Sequence, residues 1–310
     1  MKAMDNVDPS GNFETRYLAF LETITELRPR LHRYCARMTG SVLDGEDIVQ
    51  ESLFQAYRKL DTFDEARPLS AWLFRIAHNR CIDFLRRRKV REGAETAAAR
   101  PDSVMPIDPP GRALGRAVEH LVFALPPKER ACVLLKDVFG YTLEETAELV
   151  GSTVGGVKAA LNRGRSKVAG PRKQPVPAQK KRPEISALLH LYVNLFNARD
   201  WDGLRNLIVD DARLRVADKF SGPLSDSPYF GNYERWTVSW KLAVAEVDGE
   251  LVVVTLTAEH DGWVPAGVVR LEIADGRIRH IADYTHCPWV LRSARDVVVN
   301  PAFQRISEST

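Results

Sequence analysis

Residues 44–60 read DGEDIVQESLFQAYRKL, and their spacing decides the fold of the first third of the chain. Ile48, Leu53, Ala56 and Leu60 recur at helical intervals, while Asp44, Asp47 and Glu51 fall on the other side. Asp44 is a suitable N-cap, and Asp47 three positions later sits in a first turn that favours acids. The same period extends outward. Upstream it carries Leu27, Leu31, Tyr34 and Met38; downstream Pro68 opens a helix through Trp72, Ile76 and Phe84. Residues 13–89 therefore read as one all-α block.

Residues 90–112 are rich in Ala, Pro and mixed charge and end in Asp108-Pro109-Pro110-Gly111, so they read as a flexible linker. Residues 113–169 are again helical. Pro126-Pro127 starts one helix, Thr142 caps the next with Glu145 at the capping-box position, and Gly151 ends it. Thr153 caps a basic last helix, which completes a helix-turn-helix pattern. Val154, Val157, Leu161 and Val168 form its inward stripe and Lys158, Asn162, Arg163 and Arg165 point outward. Residues 170–183 (GPRKQPVPAQKKRP) form a basic, Pro-rich linker. From 184 to 303 the pattern becomes α+β. One amphipathic helix (185–198) precedes strand-like runs at 251–257, 264–273 and 277–284, with Asp275-Gly276 as a hairpin turn and a curved antiparallel sheet as the expected result.

Composition narrows the function. Hydrophobic residues make up 45% and charged residues 27% of 310, and no apolar run approaches the length that spans a bilayer. The first residues are polar, with no signal-peptide pattern, so the expected compartment is the cytoplasm, with no membrane partner. Cys35, Cys81, Cys132 and Cys287 stand singly, which suits small core residues better than a metal or redox site. Neither a cofactor nor a metal is implied, and no phosphate-binding loop, HExxH or GxSxG motif is present. A net charge of +3 decides little, but its distribution is uneven. Residues 75–91 hold seven Arg or Lys against Asp83, and residues 151–173 hold six with no acid. Two such patches suit two contacts with a polyanion; the plainer alternative is two solvated helix faces.

With these residues in view, Asp44–Leu60 closely resembles region 2.2 of the extracytoplasmic-function (ECF) sigma factors of the sigma-70 family. RPLSAWLFRIAHNRCIDFLRRRK (67–89) is similar to regions 2.3 and 2.4, and LPPKERACVLLKDVFGYTLEETAELVGSTVGGVKAALNRGRSKV (125–168) to region 4. The resemblance implies a sigma factor, not an enzyme, that binds core RNA polymerase through the β′ clamp helices and β flap and directs it to promoter DNA. By the same resemblance, Asp47, Gln50 and Glu51 would contact polymerase. Trp72, Arg75, Asn79, Arg80, Asp83 and Arg86 would face the −10 element, where aromatic and basic side chains replace base stacking on melting, with Phe74 in the same element. Thr153, Gly155, Lys158, Asn162 and Arg163 would face the −35 element in the major groove. Gly156, Ala159 and Ala160 stand where relatives carry polar or basic side chains, so base readout there would rest on few groups.

The third block, from YVNLFNARDWDGLRNLIVDDARLRV (192–216) onward, resembles SnoaL-like domains, which form a cone around a central pocket. Tyr192, Trp236, His260, Asp283 and His286 are the candidate pocket residues, and a His near an Asp is a candidate general base. Ligand sensing, a contact within the chain and plain aromatic filling of the cone all remain open. So do two wider alternatives, a helix-turn-helix regulator acting from outside polymerase and an enzyme carrying a DNA-binding module.

Overall fold

The computed structural model describes residues 9–64, 68–98, 125–169, 183–260 and 262–299. They fall into two compact units, Met1–Pro175 and Val176–Thr310.

In the first unit, helix α1 (Pro9–Thr39) packs against α2 (Val42–Arg58), and α3 (Leu69–Ala98) lies across both. Leu31, Tyr34 and Met38 are fully buried and Leu27 nearly so, the stripe that their spacing predicts. The N-cap of α2 is Ser41 and not Asp44. Ser41 adopts an extended conformation, and its hydroxyl accepts from the Asp44 N–H at 3.2 Å, so the helix starts earlier and Asp44 lies in its first turn. Gly45 is what lets α2 lie so close to α1. A Cβ there would meet the Ala36 backbone nitrogen at 2.6 Å. Beside this contact the buried Arg28 and Glu46 form an ion pair of 2.5 Å, and His32 Nε2 meets the Val42 carbonyl at 2.9 Å.

Helix α3 continues to Ala98, well past Lys89 where the linker was expected to begin. The rest of that linker, the start of the second block at 113 and the basic linker up to residue 182 lie outside the described residues.

The second helical block opens with α4 (Pro127–Val133), with Pro127 in its first turn, and runs into a wider π turn at Leu134–Val138. Helix α5 (Leu143–Leu149) begins with the expected capping box between Thr142 and Glu145, and α6 (Val154–Ala169) with Thr153, whose hydroxyl accepts from the Gly156 N–H. Val157, Ala160, Leu161 and Gly164 face inward, while Val154 and Val168 sit half-buried at the margin. The two helical blocks read as separate modules share one hydrophobic core, which includes Tyr34 and Phe74 from the first and Cys132, Leu134 and Leu161 from the second.

The second unit begins with α7 (Pro183–Asn197) and α8 (Trp201–Leu207). Seven strands follow, with a short helix α9 (Tyr229–Glu234) between β2 and β3 and α10 (Pro288–Ser293) before β7. The strands are β1 (Ile208–Val216), β2 (Phe220–Pro223), β3 (Trp240–Val247), β4 (Glu250–Glu259), β5 (Gly262–Ala274), β6 (Arg277–Asp283) and β7 (Val297–Val299). They form one sheet in the order β2-β1-β6-β5-β4-β3-β7, antiparallel except for the β1–β6 pair. Asp275 and Gly276 both take positive φ, as the tight turn between β5 and β6 requires; Asp248 and Gly249 do the same between β3 and β4. One cross-strand row runs Val244, Val253, Val269, Asp283, Val216. It carries the Asp283 carboxylate onto the face covered by α7 and α9.

The first unit contains a buried acid-sensitive group. His78 is nearly inaccessible, its Nδ1 lies 2.8 Å from the Tyr34 hydroxyl, and burial pushes its pKa down to about 4. An unfolded chain takes up this proton near pH 6.5, while the folded chain resists until about 4. Stability is therefore complete above pH 6.5 and falls as acid is added, by at most about 1.4 kcal/mol per pH unit from this one group. The expected result in urea titrations between pH 7 and pH 5 is a flatter stability profile for His78→Gln than for the parent protein.

Candidate functional site

Helix α2 buries Val42, Leu43, Ile48, Val49, Leu53 and Ala56 and turns another stripe outward. Asp47 and Gln50 are half-buried and Glu51 is exposed. Phe54, one turn further along, is 63% exposed, and Tyr57 is partly exposed with its ring edge-on to Tyr17. The sequence reading missed Phe54. Its i+3 and i+4 spacing from Glu51 and Gln50 was the available signal.

Between α2 and α3 lies a pocket of about 430 Å³. Of the residues expected at the −10 element, Trp72, Arg75, Asn79, Arg80 and Asp83 line it. Gln55 from α2 and Lys59 at its C-cap close it, and neither was anticipated. Arg86 lies outside the pocket lining and pairs with Asp83 at 3.1 Å. Trp72 is half-buried, with its ring 4.8 Å from that of Phe63, so one side packs while the other faces the pocket. Phe74 is a correction: it is 1% exposed and belongs to the core. Arg80 ties the two helices together. Its Nε donates to Gln55 Oε1 at 2.9 Å, and its Nη1 lies 3.5 Å from Glu51 Oε2.

On α6, Gly155, Lys158, Ala159 and Asn162 form an exposed stripe, with Thr153 at the cap. Arg163 is exposed but engaged. Its Nε donates to Glu129 Oε1 at 2.9 Å, and Lys167 Nζ donates to Glu129 Oε2 at 2.7 Å. These donors, Lys167 first, hold the Glu129 carboxyl below its usual range. Arg165 is paired with Asp137. The basic charge of α6 is thus largely spent on holding the helix to α4 and the π turn.

Comparison with known proteins fits this geometry. Residues 23–91 match the Sigma-70 region 2 model and residues 115–168 the Sigma-70, region 4 model. The ECF RNA polymerase sigma factor SigW of Bacillus subtilis is 33% identical over 159 residues, 47% of this chain and 85% of SigW. The chain belongs to the ECF sigma factor family. SigG of Mycobacterium tuberculosis is 32% identical over 215 residues, 60% of this chain, which spans 58% of SigG. The crystal structure of the M. tuberculosis ECF sigma factor SigJ aligns with 87% of this chain and 97% of its own, at 19% identity and a TM-score of 0.33. Sigma factors are transcription initiation factors and not enzymes, and they partner core RNA polymerase and promoter DNA.

In the C-terminal unit of this sigma factor, Tyr192 and Asp283 of the candidate pocket are both buried, and burial, followed by the nearby Asp283 charge, raises the Tyr192 pKa. Asp283 Oδ2 accepts from the hydroxyls of Tyr229 at 2.9 Å and Tyr233 at 2.6 Å, and Oδ1 accepts from the Thr285 N–H at 2.8 Å. Burial, followed by the Asp283 charge, pushes the Tyr229 and Tyr233 hydroxyls well up, so both remain protonated donors. These two tyrosines were not anticipated. They lie on α9, a six-residue helix with no long apolar period to reveal it. Trp236 stands at the rim, 5.1 Å from the Tyr233 ring and beside two open grooves of about 370 and 460 Å³. His260 and His286 are exposed and absent from the Asp283 hydrogen bonds, so the candidate His–Asp arrangement does not form there. No helix among the described residues is long and apolar enough to cross a membrane.

The Glu129 network gives a direct test. Glu129→Gln should lower the stability of the first unit by only about 0.5–1 kcal/mol, because Arg163 and Lys167 are half exposed, and the difference should shrink in high salt. Chemical denaturation at two salt concentrations measures it.

Proposed function

We propose that α2 docks on the β′ clamp helices of core RNA polymerase, that the α2–α3 pocket receives an unstacked base of the −10 element, and that α6 enters the major groove at −35. The observation that carries this reading is the outward stripe of α2. An aromatic ring left in water beside acids is unfavourable for the ring and suits a protein partner, where aromatic anchors supply much of the binding energy. The pocket supports the second part. It combines an aromatic face, arginines for phosphates and the Asn79 amide for a base edge, which is what capture of a melted strand requires. At −35, Lys158 and Asn162 are the side chains best placed to reach DNA, so binding there rests on few contacts.

Phe54→Ala should weaken binding to core polymerase about tenfold or more while leaving the unfolding midpoint unchanged. Competition for core polymerase with the parent protein measures this; undiminished affinity would reject α2 as the docking helix.

The C-terminal unit is proposed to regulate the sigma factor, through a bound small ligand or a contact within the chain. The buried Asp283–Tyr229–Tyr233 network supports a specific role for it, since a cone filled only for packing needs no buried carboxylate. Removal of residues 184–310 is expected to change transcript yield from a matched promoter, and equal yield with and without them would count against regulation.

A further inference from the structure

We propose that the groove at the rim of the C-terminal unit, where Trp236 stands between Arg199 and Arg235, binds a small planar aromatic acid, a flat ring system carrying a carboxylate. The proposal rests on the regulatory reading of that unit given above. Three aromatic side chains build the wall of the groove. The Trp236 ring lies 5.1 Å from the Tyr233 ring, tilted by 34°, and 6.0 Å from the Trp240 ring. Tyr233 and Trp240 are buried, whereas Trp236 is only half-buried, and Val238, two residues on, is 55% exposed. The grooves of about 460 and 370 Å³ adjoin at this point, because Trp236 and Val238 line both. One apolar platform is thus left open, in a space within the size range of small-molecule sites.

The cations set the chemistry of the ligand. Arg199 lines the larger groove and Arg235 the smaller. Arg199 follows α7 and takes φ +59°, a conformation in which glycine is usual at a helix end. Keeping an arginine there places its guanidinium 3.8 Å from the Trp240 ring centre, with Nη1 donating to the Phe196 carbonyl at 3.0 Å. Arg235 donates to the Gly231 carbonyl and, at 2.8 Å, to Asn232 Oδ1. Neither arginine forms an ion pair among the described residues. Glu234, the acid in the lining of the larger groove, accepts from Trp201 Nε1 at 2.6 Å. Two cations against one carboxylate leave the rim short of an anion. A carboxylate matches the guanidinium fork, and the open face of Trp236 matches a flat ring. Occupancy also has a route inward. Tyr233 forms part of the wall, its hydroxyl donates to Asp283 Oδ2 at 2.6 Å, and its carbonyl accepts from Trp240 Nε1 at 3.1 Å. A ring seated against Tyr233 and Trp236 therefore bears on the buried carboxylate network.

Titration of the full-length protein with 2-naphthoate and with benzoate, followed by calorimetry and tryptophan fluorescence, reads the site. Saturable one-site binding is expected, tighter for 2-naphthoate than for benzoate. The neutral 2-naphthalenemethanol should bind about tenfold more weakly than 2-naphthoate, since it lacks the charge-assisted hydrogen bonds. Trp236→Leu and Arg235→Gln should each weaken 2-naphthoate binding about fivefold or more, with circular dichroism to confirm the fold. No saturable binding of either acid, equal binding of the alcohol, or parent-like affinity in both variants would overturn the site. Transcript yield from a matched promoter separates this proposal from the reading beneath it. A yield that changes on removal of residues 184–310, with neither acid bound by the full chain, would overturn the site alone. Binding that both variants weaken, with equal yield with and without those residues, would support the site and overturn the regulatory reading.

Discussion

The close approach of α2 to α1 at Gly45 is the contact on which the rest of the first unit depends. A glycine there lets the Ala36 backbone sit where any other residue would place a side chain. With the helices that near, Arg28 and Glu46 pair out of water. Removing one partner of a buried pair costs about 3–5 kcal/mol. The pair adds little stability by comparison with an apolar core, but it fixes the rotation of α2. That rotation points Val49 and Leu53 inward, leaves Glu51 and Phe54 outward, and aims Gln55 and Lys59 at α3.

A single helix therefore presents one face to solvent and another to the pocket beside α3. Arg80 joins the two faces, because it reaches Gln55 in the pocket wall and Glu51 on the outer stripe. An acid engaged by a partner can no longer hold Arg80 in the same way, so occupation of the outer stripe would change the cation that lines the pocket. On the proposed reading, docking on polymerase and readiness for DNA would share one side-chain network.

The helices of the first unit were legible because their apolar residues keep a 3.6-residue period, as in Leu27, Leu31, Tyr34 and Met38. Periodicity says which face is covered but not by what. That is why Phe74 could be read as a DNA-facing aromatic when it lies under Tyr141. The capping box at Thr142 was legible because its signal is local; the cap at Ser41 was missed because Asp44 offers the same chemistry a turn later. In the second unit, Asp275-Gly276 marked one hairpin, while the equivalent Asp248-Gly249 went unread, and with it strand β3. Strand β1 pairs in parallel with β6, a partner 67–70 residues away, and no local pattern reports such a pairing. Tyr192 and Asp283 were singled out as pocket candidates and are buried; Tyr229 and Tyr233 were not singled out, since they meet the carboxylate only through the tertiary fold.

The recognition helix follows from the same reasoning about where charge goes. A helix with six basic residues in its neighbourhood and no acid looks, from sequence, like a general phosphate binder. Folding changes that inventory. Glu129 and Asp137, which lie outside the helix, engage Arg163, Arg165 and Lys167. Glu129 can hold two cations because Gly164 lets α6 come within contact of Val133 and Glu129 itself. Lys158 and Asn162, on the exposed stripe, make none of these contacts with α4. A helix whose glycines and alanines allow close approach, but whose cations are already engaged, gains little from adding phosphates. On the proposed reading its affinity would come mainly from region 2 and from polymerase, with the −35 contact serving more to set register than to supply binding energy.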